Sequence, residues 1–159
     1  MIMKVLITLL GRSGWGLFNS VWAMIRTHDY VPERIYIVTD SCQMPLAEQV
    51  RTMLAVLLTE YEEHHEIEIV PIKADMIAEV AMKVREIAER EKKLGQMLAL
   101  DVTPGTKSLV MGAVIPGMSR NLFDQIFYLY IESMKNASRP FMTIPLAIQH
   151  DHEFLQEVK

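Results

Sequence analysis

The chain has 159 residues, half of them apolar and 23% charged, with a net charge of -4. That length fits one domain with a full core, and the acidic balance argues against broad capture of duplex DNA or RNA, which needs a basic stripe. A single cysteine, Cys42, excludes a disulfide framework or a cysteine-based zinc site within one chain, and no apolar run approaches the roughly 18 residues that span a membrane.

The run Met3–Leu10 is continuously apolar, as expected of a central strand covered on both faces. It runs straight into a glycine turn without the small-residue cleavage site of a signal peptide, so a buried first strand and a cytoplasmic protein are expected. Trp15–His28 places Phe18, Trp22 and Ile25 on one helical face. Arg34–Thr39 is a β-branched strand, and Leu46–Glu63 carries Leu46, Val50, Leu54 and Leu57 at helical spacing. Glu66–Val70 alternates, which suits an edge strand. Asp75 is placed to cap a helix running to Lys93, with Val80, Val84 and Ile87 inward and the charged stretch KVREIAEREKK as a solvated face. Lys92-Lys93-Leu94-Gly95 then signals the end of that helix. Gln96–Asp101 reads as a strand, Thr106–Ser119 as a helix and Gln125–Ile131 as a strand. Phe141–Ile144, between two prolines, reads as the last strand at the other edge.

Strand and helix alternate through the chain without repeats or linkers, which predicts a single α/β domain over residues 1–159. The expected form is Rossmann-like and doubly wound, a mostly parallel six-stranded sheet with helices on both faces. Its core covers about residues 3–148, and 149–159 form a short tail. A strand order of 3-2-1-4-5-6 sets the first and fourth strands side by side at the switch point, where ligands bind beyond the carboxyl ends. That rule selects two loops, Gly11–Gly16 and Thr103–Lys107.

In the first loop, GRSGWG, Gly11, Gly14 and Gly16 permit a sharp turn and close approach of a ligand to the backbone. Ser13 offers a hydroxyl, Arg12 a guanidinium and Trp15 a flat surface for a base, and the following helix turns its N-terminus to the same crevice. A turn that merely needs glycine is the plainer reading; three glycines in six residues at a switch point favour a ligand loop. The dinucleotide fingerprint G-x-G-x-x-G fails because Ser13 stands where glycine is needed, and Gly105-Thr106-Lys107-Ser108 lacks Walker A spacing. Asp40, at the end of the second strand beside Thr39, stands where a ribose-binding acid would be, or caps a turn.

In the second loop, Pro104 and Gly105 make the turn, Thr103 and Thr106 offer hydroxyls, and Lys107 adds a full charge to a helix N-terminus. Alone, this stretch would be Thr103 capping a helix with Lys107 in solvent. Beside GRSGWG it becomes half of a two-sided phosphate cradle. QHDHEF near the C-terminus reads as a solvated tail, and EYEEHHEIE as an exposed helix end. The apolar helix after Lys107 (Leu109, Val110, Met111, Ala113, Val114, Ile115) is either fully buried or half of a dimer interface.

An apolar strand ending in Gly11-Arg12-Ser13-Gly14, with Asp101-Val102-Thr103-Pro104-Gly105-Thr106-Lys107 after the fourth strand, resembles the CARF domains, CRISPR-associated Rossmann-fold sensors. The second stretch matches the form [DN]-x-T-[GP]-G-T-K, with Pro104 in place of the commoner glycine. The resemblance implies a homodimer that binds a cyclic oligoadenylate across its two-fold axis, with cyclic tetra-adenylate favoured because four loop copies could meet four phosphates. The ligand-binding set is then Gly11, Arg12, Ser13, Gly14, Trp15, Thr39, Asp40, Thr103, Pro104, Gly105, Thr106 and Lys107. No cofactor, metal, duplex nucleic acid or membrane partner is expected. Such domains usually carry an effector. Only eleven residues follow Ile148, so a CARF-only protein or an excised sensor is expected. A CARF-only protein invites slow, metal-independent cleavage of the ring by its own 2′-OH, with Lys107 stabilising charge and Ser13 positioning. The alternatives are a non-catalytic sensor module of an effector and a flavodoxin-like or Rossmann enzyme for a mononucleotide.

Overall fold

The first apolar run is buried from Val5 to Leu10 because it forms the middle of the sheet as β1 (Lys4–Leu10). The computed structural model describes residues 1–61, 64–73 and 76–159. The chain continues through α1 (Gly14–His28), β2 (Arg34–Asp40), α2 (Met44–Thr59), β3 (Glu66–Ile72) and α3 (Ile77–Lys93). It ends with β4 (Met97–Asp101), α4 (Lys107–Ser119), β5 (Gln125–Ile131), α5 (Met134–Ala137), β6 (Gln149–Glu153) and α6 (Phe154–Glu157). The six strands lie in the order β3-β2-β1-β4-β5-β6, so β1 and β4 are neighbours as expected. All pairings are parallel except β5 with β6.

Two cores follow from strand alternation. Leu6, Leu10, Ile35 and Ile37 face α1 and α2, while Val5, Ile7, Leu9, Tyr36 and Val38 face α3 and α4. β3 alternates exposed and covered residues and carries Pro71, consistent with its edge position. Gly95 ends the α3 region at φ +75°, a conformation glycine adopts without strain. Asp75 and Glu63, expected at a helix start and a helix end, lie outside the described residues. Of the two histidines after α2, His64 is exposed and His65 half-buried.

Three expectations are corrected. Phe141–Ile144 is not a strand: Phe141–Thr143 forms a 3-10 turn, with Thr143 N–H donating to Pro140 O at 2.8 Å. The flanking prolines lack the N–H a strand would use, while Phe141 and Ile144 still face the core. The last strand is Gln149–Glu153, so this segment is not a solvated tail. Its His150 and His152 stand opposite Tyr130 and Tyr128, and buried Glu153 accepts from Ile126 N at 2.9 Å. Its polar sequence suits an edge strand, where only part of the residue set needs cover.

The third correction concerns α3. Its charged stretch is not wholly solvated, because Glu91 continues the inward row of Val80, Val84, Ile87 and Ala88 and is completely buried. Tyr36 Oη donates to Glu91 Oε1 at 2.7 Å, and Arg34 Nη1 lies 3.2 Å from both carboxylate oxygens. Burial, helped by the Glu91 carboxylate, raises the Tyr36 hydroxyl above its ordinary value.

The helix after Lys107 is neither fully buried nor fully free. Leu109 and Ala113 pack inward, and Gly112 lets α4 press against Val80 of α3. Met111, Ile115 and Met118 form a stripe about half exposed, at 50%, 56% and 53%.

Candidate functional site

The two loops chosen from the sequence meet directly at the switch point. Gly11 N–H donates to Pro104 O at 2.8 Å, tying the end of β1 to the turn after β4. A Cβ at Gly11 would stand 2.6 Å from that carbonyl, so glycine is required here by loop-to-loop contact. Gly11→Val should therefore part the loops and destabilise the protein by about 1–3 kcal/mol, read from urea unfolding midpoints.

Each loop then opens a helix. Ser13 caps α1, its Oγ accepting from Gly16 N at 2.9 Å, and Thr106 caps α4 through Leu109 N at 3.5 Å. Thr106, not Thr103, is the cap, because Thr103 Oγ1 accepts from Leu129 N at 2.9 Å and fastens the turn to β5. Both helices direct their N-termini and positive dipole ends towards the carboxyl edge of the sheet.

Two cavities flank the joined loops. One, of about 360 Å³, lies between Gly11, Arg12, Asp40, Ile72, Thr106 and Ser108. The other, of about 560 Å³, is bordered by Arg12, Ser13, Asn19, Thr103–Thr106, Tyr128 and Tyr130. Arg12 and Thr106 line both, so the two spaces adjoin across the joined loops. Arg12 is exposed and has no ion-pair partner among the described residues.

The remaining expected site residues fall into two groups. Pro104 and Gly105 border the second cavity, and Asp40 the first, where its Oδ1 also accepts from Cys42 N at 2.9 Å. Gly14, Trp15, Thr39 and Lys107 line neither. Gly14 packs against Leu46 and Val50 of α2, and Trp15 meets Phe18 edge-on at 5.8 Å between ring centroids. Thr39 is buried and donates to Leu10 O at 3.0 Å. Lys107 is exposed on the first turn of α4.

Beneath the joined loops lies a carboxyl group that enters the sequence motif only as its first residue. Asp101 is completely buried, and Oδ1 accepts from Thr103 N at 3.0 Å, holding the turn. Oδ2 lies 2.9 Å from Thr8 Oγ1 and 2.6 Å from Ser20 Oγ. Ser20 has one hydroxyl hydrogen and also lies 2.9 Å from Leu17 O. With Asp101 ionised, Ser20 donates to Oδ2; with Asp101 protonated, its hydroxyl can donate to Ser20 Oγ and free the Ser20 hydrogen for Leu17 O, so the network accommodates the proton. Desolvation raises the Asp101 carboxyl above its ordinary value despite opposing hydrogen bonds, in agreement with that pattern.

The folded state thus holds this proton more tightly than the unfolded chain. The stability it adds is complete below the ordinary carboxyl value of about 4 and is lost as pH rises through the raised folded value. Asp101→Asn keeps the shape, can donate to Ser20, and removes the titration. Its stability relative to wild type should rise with pH across that window, read from urea midpoints between pH 3 and pH 8. A pH-independent offset would refute the assignment.

Sequence reasoning missed Asn19, Tyr128, Tyr130 and His150. Asn19 is a polar residue on the inward face of α1, between Leu17 and Val21, which was the available signal. Tyr128 and Tyr130 alternate along β5, with rings stacked on His152 and His150 at 6.1 and 5.9 Å. His150 Nε2 lies 2.7 Å from Glu132 Oε1 at the carboxyl end of β5, not in a loose tail.

A Rossmann-like sheet with two helix N-termini over its switch point defines a class of nucleotide- and phosphate-binding folds. Solved structures share it. The chain superposes on Enterococcus italicus Csm6 bound to cyclic hexa-2′-fluoro-hexa-dAMP with a TM-score of 0.62 and 14% identity, covering 99% of this chain and 44% of that one. Protein VC1899 from Vibrio cholerae gives 0.61 and 16%, covering 79% of this chain and 30% of that one. A type III CRISPR defence DNA nuclease activated by cyclic oligoadenylate gives 0.57 and 13%, covering 83% and 19%. The chain thus spans less than half the length of each. The resemblance drawn from the two loop motifs is matched by these neighbours at the level of fold. No protein-family model and no curated protein matches the sequence.

Proposed function

We propose that this domain binds a cyclic oligoadenylate, cyclic tetra-adenylate in the first instance, across the axis of a homodimer in type III CRISPR antiviral signalling in the cytoplasm. The observation that carries the reading is the joining of the two loops by Gly11 and Pro104. It brings the N-termini of α1 and α4 together with Arg12, which lines both cavities, while Lys107 stands exposed on the first turn of α4 just outside them. Two fold neighbours, one bound to a cyclic oligoadenylate analogue and one activated by such a ring, support the same ligand class. The half-exposed stripe Met111, Ile115 and Met118 starts one turn beyond Lys107 and offers a two-fold seam. A seam there would bring both copies of Lys107 towards one symmetric ring.

The same arrangement supports slow cleavage. A ribose 2′-oxygen attacks the adjacent phosphorus in line, forming the 2′-O–P bond as the P–O5′ bond breaks. The 2′-hydroxyl proton is lost and the 5′-oxygen gains one, leaving a 2′,3′-cyclic phosphate and a 5′-hydroxyl. Lys107 and the α4 N-terminus offset charge on the phosphoryl oxygens. Ser13 Oγ accepts from Gly16 and keeps its own hydrogen to donate to a phosphate oxygen. Because no imidazole borders either cavity among the described residues, a sensor without turnover is the second reading.

Incubation of the purified protein with labelled cyclic tetra- and hexa-adenylate in EDTA separates these outcomes. Linear products with 2′,3′-cyclic phosphate ends support the ring nuclease, and a mobility shift without products supports the sensor. Preference for a mononucleotide with no affinity for either ring would overturn the proposal.

A further inference from the structure

We infer that the larger cavity is a base-reading subsite, in which Asn19 accepts a hydrogen bond from an exocyclic amine and thereby selects adenine over purines with a 6-oxo group. The inference rests on the cyclic oligoadenylate reading and adds the residue that would make the site specific for adenylate.

Asn19 is 2% exposed and borders the 560 Å³ cavity. Its Nδ2 donates to Arg139 O at 2.7 Å and lies 3.5 Å from Ala137 O, in the segment around α5. Two carbonyl oxygens beside one end of the amide fix that end as nitrogen, so the other end is an acceptor. That acceptor, Oδ1, is buried and has no hydrogen-bond partner among the described residues. A buried acceptor left unpaired is costly, and few native side chains are left so without a bound partner to supply the donor.

The cavity around it suits a planar base. Its size falls in the range of small-ligand sites, and Pro104, Leu129 and Tyr130 supply apolar or aromatic surface. Ser13 and Thr106 line the same space, so a nucleotide with its phosphate at the helix N-termini has its base within reach of this cavity. Asn19 Oδ1 is closed to solvent in the unliganded chain, and once a base entering the cavity displaces its cover it pairs with the N6 amine of adenine. It opposes the O6 carbonyl of guanine or hypoxanthine, where two acceptors would meet without a hydrogen between them. The same geometry admits the N4 amine of cytosine, which the larger purine surface disfavours by stacking area.

The test compares cyclic tetra-adenylate with the ring in which every adenine is replaced by hypoxanthine, measured by isothermal titration on the whole chain. Wild type should bind the adenylate ring roughly tenfold or more tightly, since an unpaired polar contact replaces a hydrogen bond. In Asn19→Leu that preference should fall to near unity. Because Asn19 also holds the α5 segment, its thermal unfolding is followed in parallel. If the variant does not fold, the two-ring comparison on wild type decides alone. Equal binding of the two rings by wild type, with binding itself intact, overturns the subsite and leaves the phosphate cradle standing. Retained preference in a folded Asn19→Leu does the same. Absence of binding to either ring overturns the subsite together with the reading on which it rests.

Discussion

Lys107→Ala is expected to abolish ring cleavage and to weaken ring binding by at least roughly tenfold, with no loss of fold stability. Lys107 has an exposed side chain and borders neither cavity, so its removal strands no buried partner. The helix N-terminus beneath it survives because Thr106, not Lys107, caps α4. Residual binding should therefore persist through the backbone N–H groups and the dipole, while transition-state stabilisation by the full charge is lost. Removing one such electrostatic donor lowers rates by about 10²–10³ in well-studied sites. Slow turnover to begin with would carry this below detection.

Ser13→Ala tests the other loop and differs in kind. It should slow cleavage more than it weakens binding, but it also removes the α1 cap, a loss of about 1 kcal/mol of stability. The pair of variants is read by binding titration, single-turnover cleavage and unfolding midpoints together. Undiminished ring binding in a folded Lys107→Ala protein would remove Lys107 from the proposal and leave the α4 N-terminus as that loop's only contribution.

The parts of this fold legible in the sequence are those where burial and period agree. The unbroken run in β1, the alternation of β3 and the glycines and threonines after β1 and β4 all carry their placement in local pattern. The sheet order followed from topology alone, without any side chain being consulted. What escaped was set by non-local satisfaction of polar groups. Glu153 sits buried in a strand because it collects the N–H groups of Ile126, Leu155 and Gln156, partners no local pattern reveals. Phe141 and Ile144 resemble a strand in sequence, yet the prolines beside them send the backbone into turns. At the site, the glycines were assigned to ligand access, whereas Gly11 and Gly14 are required by the loop and helix they touch. Asn19 and Asp101 look like routine polar residues until the inventory of donors and acceptors around them is drawn up.

Glu91→Ala should destabilise the protein by about 3 kcal/mol while leaving ring affinity unaltered. The carboxylate is completely buried and lies at the end of the sheet away from the joined loops, where Arg34 begins β2 next to Glu66 on β3. Removing it leaves the Arg34 guanidinium, among the described residues, with only the exposed Glu66, 2.8 Å away, and deprives the buried Tyr36 hydroxyl of its acceptor. Arg90 Nη2 still donates to Tyr36 Oη at 3.0 Å, so the hydrogen left without an acceptor is the one on the Tyr36 hydroxyl. The cavity left by the side chain adds to that loss. Glu91→Gln keeps the volume and one acceptor for Tyr36 but not the charge, so its cost should be smaller, about 1–2 kcal/mol. Urea unfolding of both variants, paired with ring titration, checks the order. High salt should not restore stability, because a buried pair is screened far less than an exposed one. A Glu91→Ala protein as stable as wild type would show that hydrophobic cover alone holds α3 to the sheet. Reduced ring affinity in a stable, folded variant would show instead that the two ends of the sheet are coupled.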